Sequence, residues 1–286
     1  MKIGIVYPQI ELGGDPESVR RIARATEDLG FDHLLAYDHV VGAVHEGREP
    51  KLTGPYTEQH PFHDPFVLFG HVAGITERIE LVTGVIILPQ RQTALVAKQA
   101  ADVDLFSGER FRMGVGTGWN YVEYEALGQD FHTRGRRADE QIEYLRRLWS
   151  EDVMTWEGEF DRIDRGNILP KPKRQIPLWV GGFSRPAFRR GARYGDGYIF
   201  AGTDTAVFDH LGQVDALLAE QDRDTSGFGK EFMMTGARSV DTDIEWIERW
   251  EAAGGTHATI VTMNMGLDST EAHLDYINQV HDRLGR

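Results

Sequence analysis

A closed (β/α)8 barrel of parallel strands, the α/β TIM-barrel class, is what this sequence predicts. Three observations carry the expectation. Short apolar runs alternate eight times with segments of helical periodicity. The helix ends are punctuated by Asp-Pro pairs and glycines, and no linker or low-complexity tract divides the 286 residues. Eight strand–helix units suit a closed barrel, whereas an open doubly wound sheet usually needs fewer. The expectation is a single barrel domain over residues 1–286, with insertion loops at the C-terminal rim.

The elements follow in order. Ile3 to Tyr7 reads as the first strand, and the N-terminal MKIGIVYPQI is too short in apolar length for a signal region. Asp15 before Pro16 is an N-cap with proline at the first helical position. Val19, Ile22, Ala23, Thr26 and Leu29 then recur at helical spacing until Gly30. His33 to Tyr37 is the second strand, and Asp64-Pro65 opens a helix to about Ile75. Leu81 to Leu88 is the third strand, with a helix from Thr93 to Phe106. Phe111 to Val115 is the fourth, and Ala138, Ile142, Leu145 and Trp149 share one face of the long helix after it.

The second half repeats the rhythm. Strands are expected at Leu178 to Val180, Tyr198 to Ala201, Phe232 to Ala237 and Ala258 to Met263. Helices are expected at Arg185 to Tyr194, at Ala206 to Gln221, from a capping box at Thr242 to Glu245, and around Ile277, Val280 and Leu284. Two irregular stretches interrupt the repeat, Val41 to His63 and Glu151 to Pro177. Long irregular loops in compact domains are often lids.

Composition narrows the function. The chain is 41% apolar and 27% charged, with 45 acidic residues against 31 Lys and Arg, a net charge of −14. Such acidity repels phosphate backbones and anionic lipid, so neither nucleic acid nor a membrane surface is an expected partner. With no cysteine there is no disulfide, thiolate metal site or Cys nucleophile. A cytoplasmic enzyme fits this composition.

In barrels of this class the chemistry sits at the C-terminal ends of the strands. There the sequence places Tyr7-Pro8-Gln9, Asp38-His39, Thr83-Gly84-Val85, Gly114 to Asn120, and Gly181-Gly182-Phe183-Ser184. Alternating Gly114, Gly116 and Gly118 let a flat ligand approach the backbone, or simply ease barrel curvature. Gly181 to Ser184 is a glycine turn into a helix, where free N–H groups and the helix dipole attract an anion such as a phosphate. Asp38-His39 is the candidate for proton chemistry, because histidine exchanges a proton near neutrality. The pairing within that dipeptide is uncertain, since strand neighbours point to opposite faces. A metal site through His60, His63 and Asp64 is not expected. The first strand ends in Tyr7-Pro8-Gln9, with none of the His-x-His of metallohydrolase barrels, and Asp64 reads as an N-cap.

Taken together the stretches resemble the luciferase-like monooxygenase superfamily, and within it the branch that uses the deazaflavin coenzyme F-420. The resemblance rests on an ordered set that covers nearly the whole chain. It begins with Asp38-His39, Arg78 to Val85, Leu88-Pro89-Gln90-Arg91 and Ala97 to Ala100. It continues through Leu105 to Gly108, Gly114 to Trp119, Trp179 to Gly182 and Tyr194 to Gly197. It implies a flavin-type ring across the strand ends, with a non-proline cis peptide behind it that maps to Gly84-Val85 beside Thr83. It also implies a phosphate grip at Gly181, Gly182, Phe183 and Ser184, and a ring flanked by Gly116, Thr117, Gly118, Trp119 and Asn120. His39 falls where some relatives carry a histidine proposed to move a proton near the ring, with Asp38 beside it.

One departure limits the carry-over. The sugar-phosphate dehydrogenases of the family carry an acidic residue directly after the strand-four Gly-Thr-Gly, and Trp119 stands there. Their substrate is therefore not expected, and Glu123 lies further along the chain. The resemblance implies coenzyme F-420 as cofactor, with FMN as the alternative, and a small organic substrate turned over by a homodimer. Arg48, Lys51, Arg185, Arg189 and Arg190 are candidates for the anionic tail of F-420. An FMN monooxygenase fed by a separate reductase, and a flavin-binding barrel without catalysis, are the other readings.

Overall fold

The computed structural model describes residues 1–236 and 238–285. The strands are β1 (Lys2–Val6), β2 (His33–Ala36), β3 (Glu80–Thr83), β4 (Ile86–Ile87), β5 (Phe111–Gly116), β6 (Met154–Glu157), β7 (Arg162–Gly166), β8 (Leu178–Gly181), β9 (Gly197–Gly202), β10 (Gly229–Met234) and β11 (His257–Ile260). The helices are α1 (Pro16–Asp28), α2 (Pro65–Ala73), α3 (Thr93–Phe106), α4 (Tyr121–Ala126), α5 (Arg134–Ser150), α6 (Arg185–Tyr194), α7 (Ala206–Ala219), α8 (Val240–Ala252) and α9 (Thr270–Leu284).

Nine strands form one parallel sheet in the order β3-β2-β1-β11-β10-β9-β8-β5-β4, and β3 also pairs with β5. That last pairing closes the barrel. Because β3 and β4 are two pieces of one interrupted strand, the nine make eight staves. Each stave alternates its side chains between two cores, as the period of a strand requires. Val6, Leu35, Val82, Trp179, Ile199 and Met233 pack inside the barrel. Their neighbours Ile5, Leu34, Leu81, Val180, Phe200 and Phe232 pack outward under the helices.

The near end of the barrel is closed by a buried ionic layer. Arg112 pairs with Glu231 and, at 3.0 Å, with Glu80, and its guanidinium lies 4.0 Å over the Trp179 ring. Glu231 also holds His33 Nε2 at 2.8 Å. Burial pushes the Glu231 carboxyl up, but Arg112 and His33 outweigh it and hold the group well below the usual range. Buried ions are tolerated when each is paired in this way. Ligand space is left at the opposite end, where the strands terminate.

Several expectations shift. The third strand is not continuous but breaks at the cis peptide Gly84-Val85. The seventh runs over Gly229–Met234, earlier than expected, and the expected end at Ala237 lies outside the described residues. Asp15 and Asp64 cap α1 and α2 as the Asp-Pro spacing predicts. The helix after β10, however, is capped three residues before the expected box, by Ser239, whose side chain accepts a hydrogen bond from the Thr242 N–H. A short helix, α4, follows β5 before the long one. The stretch from Glu151 to Pro177 contains the antiparallel hairpin β6–β7. That hairpin is fastened to the outer helices, with Glu140 of α5 accepting from the Glu159 and Asp161 N–H groups at 2.8 and 2.9 Å and Thr93 donating to Asp161 at 2.6 Å. It lines no part of the cavity described next. No described helix is long and apolar enough to cross a membrane.

Candidate active site

A cavity of about 450 Å³ opens over the C-terminal ends of the strands. Asp38, His39, Gly84, Val85, Gly116, Thr117, Gly118, Trp119, Asn120, Gly181, Gly182, Phe183 and Ser184 all line it. Thr83 does not. Its side chain is fully buried in the barrel wall, where the hydroxyl donates to the Gly114 carbonyl at 2.8 Å. Its one hydrogen is spent on that bond, and burial in the wall keeps the oxygen out of the cavity.

One end of the cavity is built from backbone. β8 ends at Gly181, and Gly182 turns the chain with φ +147°, a conformation side chains disfavour. Ser184 is the N-cap of α6, yet its side chain makes no capping bond. Pro186 has no N–H and the Phe188 N–H donates to the Ser184 carbonyl, so the Arg185 and Ala187 N–H groups are the ones left to meet a ligand. Arg134, the first residue of α5, lines the same cavity, its guanidinium 3.7 Å over the Phe131 ring.

The floor is the broken stave. A Cβ on Gly116 would come within 2.6 Å of Val85, and one on Gly181 within 2.9 Å. Glycine at these positions lets the Val85 side chain fill the barrel mouth and leaves a flat seat above it. Gln90, on the turn after β4, is 2% exposed and lines the wall, and neither atom of its amide has a partner among the described residues. An orphaned buried amide is costly unless a ligand satisfies it.

The other end carries the ionisable groups, and there Asp38 and His39, whose pairing the sequence leaves uncertain, take different partners. Asp38 receives Arg91 at 2.5 Å and 3.2 Å and the Ile87 N–H at 2.9 Å. Burial pushes its carboxyl up, while Arg91 pulls it back. Its visible work is to hold β4 and the following turn in place. His39 points the other way, as neighbours on an extended chain do. Its Nδ1 lies 3.6 Å from Glu123 Oε2, with side-chain exposures of 11% and 1%. Its ring packs against Phe62, Tyr56 and Trp119 at centroid separations of 4.8, 5.1 and 5.8 Å. Tyr37, deeply buried, completes this wall, and burial keeps its phenol protonated.

Glu123 was not among the expected site residues. It belongs to α4, whose N-cap Asn120 accepts from the Glu123 N–H at 3.3 Å. Asn-x-x-Glu is capping-box spacing, the one signal that places a glutamate here. Instead of folding back, Glu123 accepts from Val40 and Val41 N–H, and Asn120 donates to the Val41 carbonyl at 3.2 Å. The 41–63 stretch is thereby fastened at its base. Further along it, Gly54 lies flat on the Trp119 ring, where a Cβ would be 2.5 Å away. The far end is tied by Gln9, which accepts from His63 N–H and donates to the Tyr37 carbonyl. Tyr56 is the residue of this stretch that lines the cavity. Among the cations expected for an anionic tail, Arg190 is already paired with Asp139 at 2.5 Å and bonded to the Gly135 carbonyl.

A closed parallel barrel with such a cavity at its strand ends defines a barrel enzyme. The chain belongs to the luciferase-like monooxygenase family, whose model matches residues 1–283. It is thus an enzyme of the flavin or deazaflavin oxidoreductase type. It is 32% identical, over 87% of both chains, to an uncharacterised protein of Mycobacterium tuberculosis (strain ATCC 25618 / H37Rv). It is 30% identical to the FMNH(2)-dependent dimethylsulfone monooxygenase of Pseudomonas fluorescens (strain Pf0-1), over 76% of this chain and 57% of that one. In fold it is similar to an F420-dependent secondary alcohol dehydrogenase, with a TM-score of 0.80, 16% identity, and coverage of 98% of this chain and 97% of that one.

Proposed function

We propose that the chain is a coenzyme F-420-dependent oxidoreductase that moves a hydride to or from a small organic substrate. The observation that carries the reading is the polarity of the cavity. Anion-binding backbone and Arg134 stand at one end, a flat glycine floor lies between, and His39 stands in an aromatic wall at the other. A phosphate-bearing ring cofactor fits that order of features. The choice of F-420 rests on the ordered motifs from Asp38 to Gly197. A deazaflavin, when bound, supplies two-electron hydride transfer.

The protein's own part is placement and proton handling. The α6 N-terminus, Ser184 and Arg134 hold the phosphate. Val85, with Gly116 and Gly181, shapes the seat for the ring. Tyr37, Tyr56 and Trp119 enclose a small, largely apolar substrate and exclude water. His39 exchanges the proton that accompanies hydride transfer. The 41–63 stretch closes over the bound molecules as a lid.

The second reading, an FMN-dependent monooxygenase fed by a separate reductase, is favoured by the likeness to the dimethylsulfone monooxygenase. An equilibrium titration with F-420 and with FMN separates the two. F-420 is expected to bind more tightly, and protease cleavage within residues 41–63 to fall once it is bound. Tighter binding of FMN points to the monooxygenase, and binding of neither overturns both.

A further inference from the structure

We infer that Glu123 is a positioning residue that fixes the proton of the His39 imidazole on Nδ1 and presents Nε2 to the cavity. The inference rests on the proposed role of His39 and adds what sets it. Glu123 is buried, and its Oε1 is committed to the Val40 and Val41 N–H groups. Those two bonds leave Oε2 aimed at His39 Nδ1, 3.6 Å away. A carboxylate only accepts hydrogen bonds, so the nitrogen that faces it carries the hydrogen. The distance is just beyond a hydrogen bond, and catalytic hydrogen bonds commonly tighten only when the ligand is in place. Asp38 cannot substitute, being bonded to Arg91 and Ile87 N–H. The ring is kept from turning away by Phe62, Tyr56 and Trp119 on its other sides.

The arrangement joins two tasks in one side chain. The same carboxylate that orients the imidazole fastens the base of the 41–63 stretch. The position of that stretch and the tautomer of His39 are thereby set together.

Glu123→Gln tests this without dismantling the lid base. The amide oxygen still accepts from Val40 and Val41, and the amide nitrogen now faces His39 as a donor. The neutral imidazole should therefore switch tautomer, with Nδ1 accepting and Nε2 carrying the hydrogen. Nitrogen NMR of the imidazole, in the whole protein without added ligand, reads the switch directly. Turnover with F-420 should fall at least about 10-fold, in kcat rather than KM, while F-420 affinity holds within a few-fold. Glu123→Asp should return the wild-type tautomer and part of the rate. An unchanged tautomer in Glu123→Gln overturns the inference, as does a switched tautomer with normal turnover. Neither result touches the role of His39, which is tested by removing His39 itself.

Discussion

Replacing His39 with alanine is expected to slow turnover at least about 100-fold, the usual worth of a general acid or base. Affinity for the cofactor should stay within a few-fold. The split follows from where the ring stands. It lies against Tyr56, Phe62 and Trp119 after β2, three staves around the barrel from β8 and the α6 N-terminus that follows it, so it contributes little to holding a phosphate. It is the one histidine among the described residues that line the cavity. Tyr37, although close, keeps its proton through burial and is a poor base. Pre-steady-state rates and binding titrations on the same preparation measure both halves. Near-normal turnover in His39→Ala would leave catalysis resting on cofactor placement alone.

The second large effect is expected at the other end of the cavity. Ser184→Asp should weaken binding of F-420 or FMN more than about 10-fold, the loss of one or two charge-assisted hydrogen bonds. Aspartate is as good an N-cap as serine, and its charge favours the helix dipole. Thermal stability should therefore hold or rise while the carboxylate occupies the N–H groups and repels phosphate. Gly182→Asp is the less informative variant. Its Cβ would meet the Ala187 Cβ at 2.8 Å, and φ +147° disfavours any side chain, so the turn itself would shift. Unchanged affinity in a folded Ser184→Asp protein would remove the phosphate from this turn.

The barrel was largely legible because its signals are local. Continuous apolar runs such as Leu34-Leu35 and Leu81-Val82 mark strands buried on both faces, and Asp15-Pro16 and Asp64-Pro65 mark helix starts by chemistry within a few residues. The turn at Gly181 to Ser184 was legible for the same reason. Side-chain partnership across the chain was not. Asp38 is bonded to Arg91, 53 positions away, and Glu123 reaches Val40 across 83. Nothing in the local pattern of either segment encodes those distances. Thr83 illustrates the opposite error. Its place beside Gly84-Val85 suggested a ligand contact, but one residue along a strand reverses the side chain and turned its hydroxyl to Gly114. Gln90 and Arg134 reach the cavity only because the turn after β4 and the start of α5 come together in the fold.

The central claim is that one cavity holds the phosphate at α6 and the ring over Val85. A crystal structure of the protein with F-420 bound tests it most directly. The account predicts the phosphate on the first N–H groups of α6 beside Ser184 and Arg134, the deazaflavin ring over Gly84-Val85, and His39 at its reactive edge. F-420 bound elsewhere on the barrel, or with its ring away from His39, would contradict it.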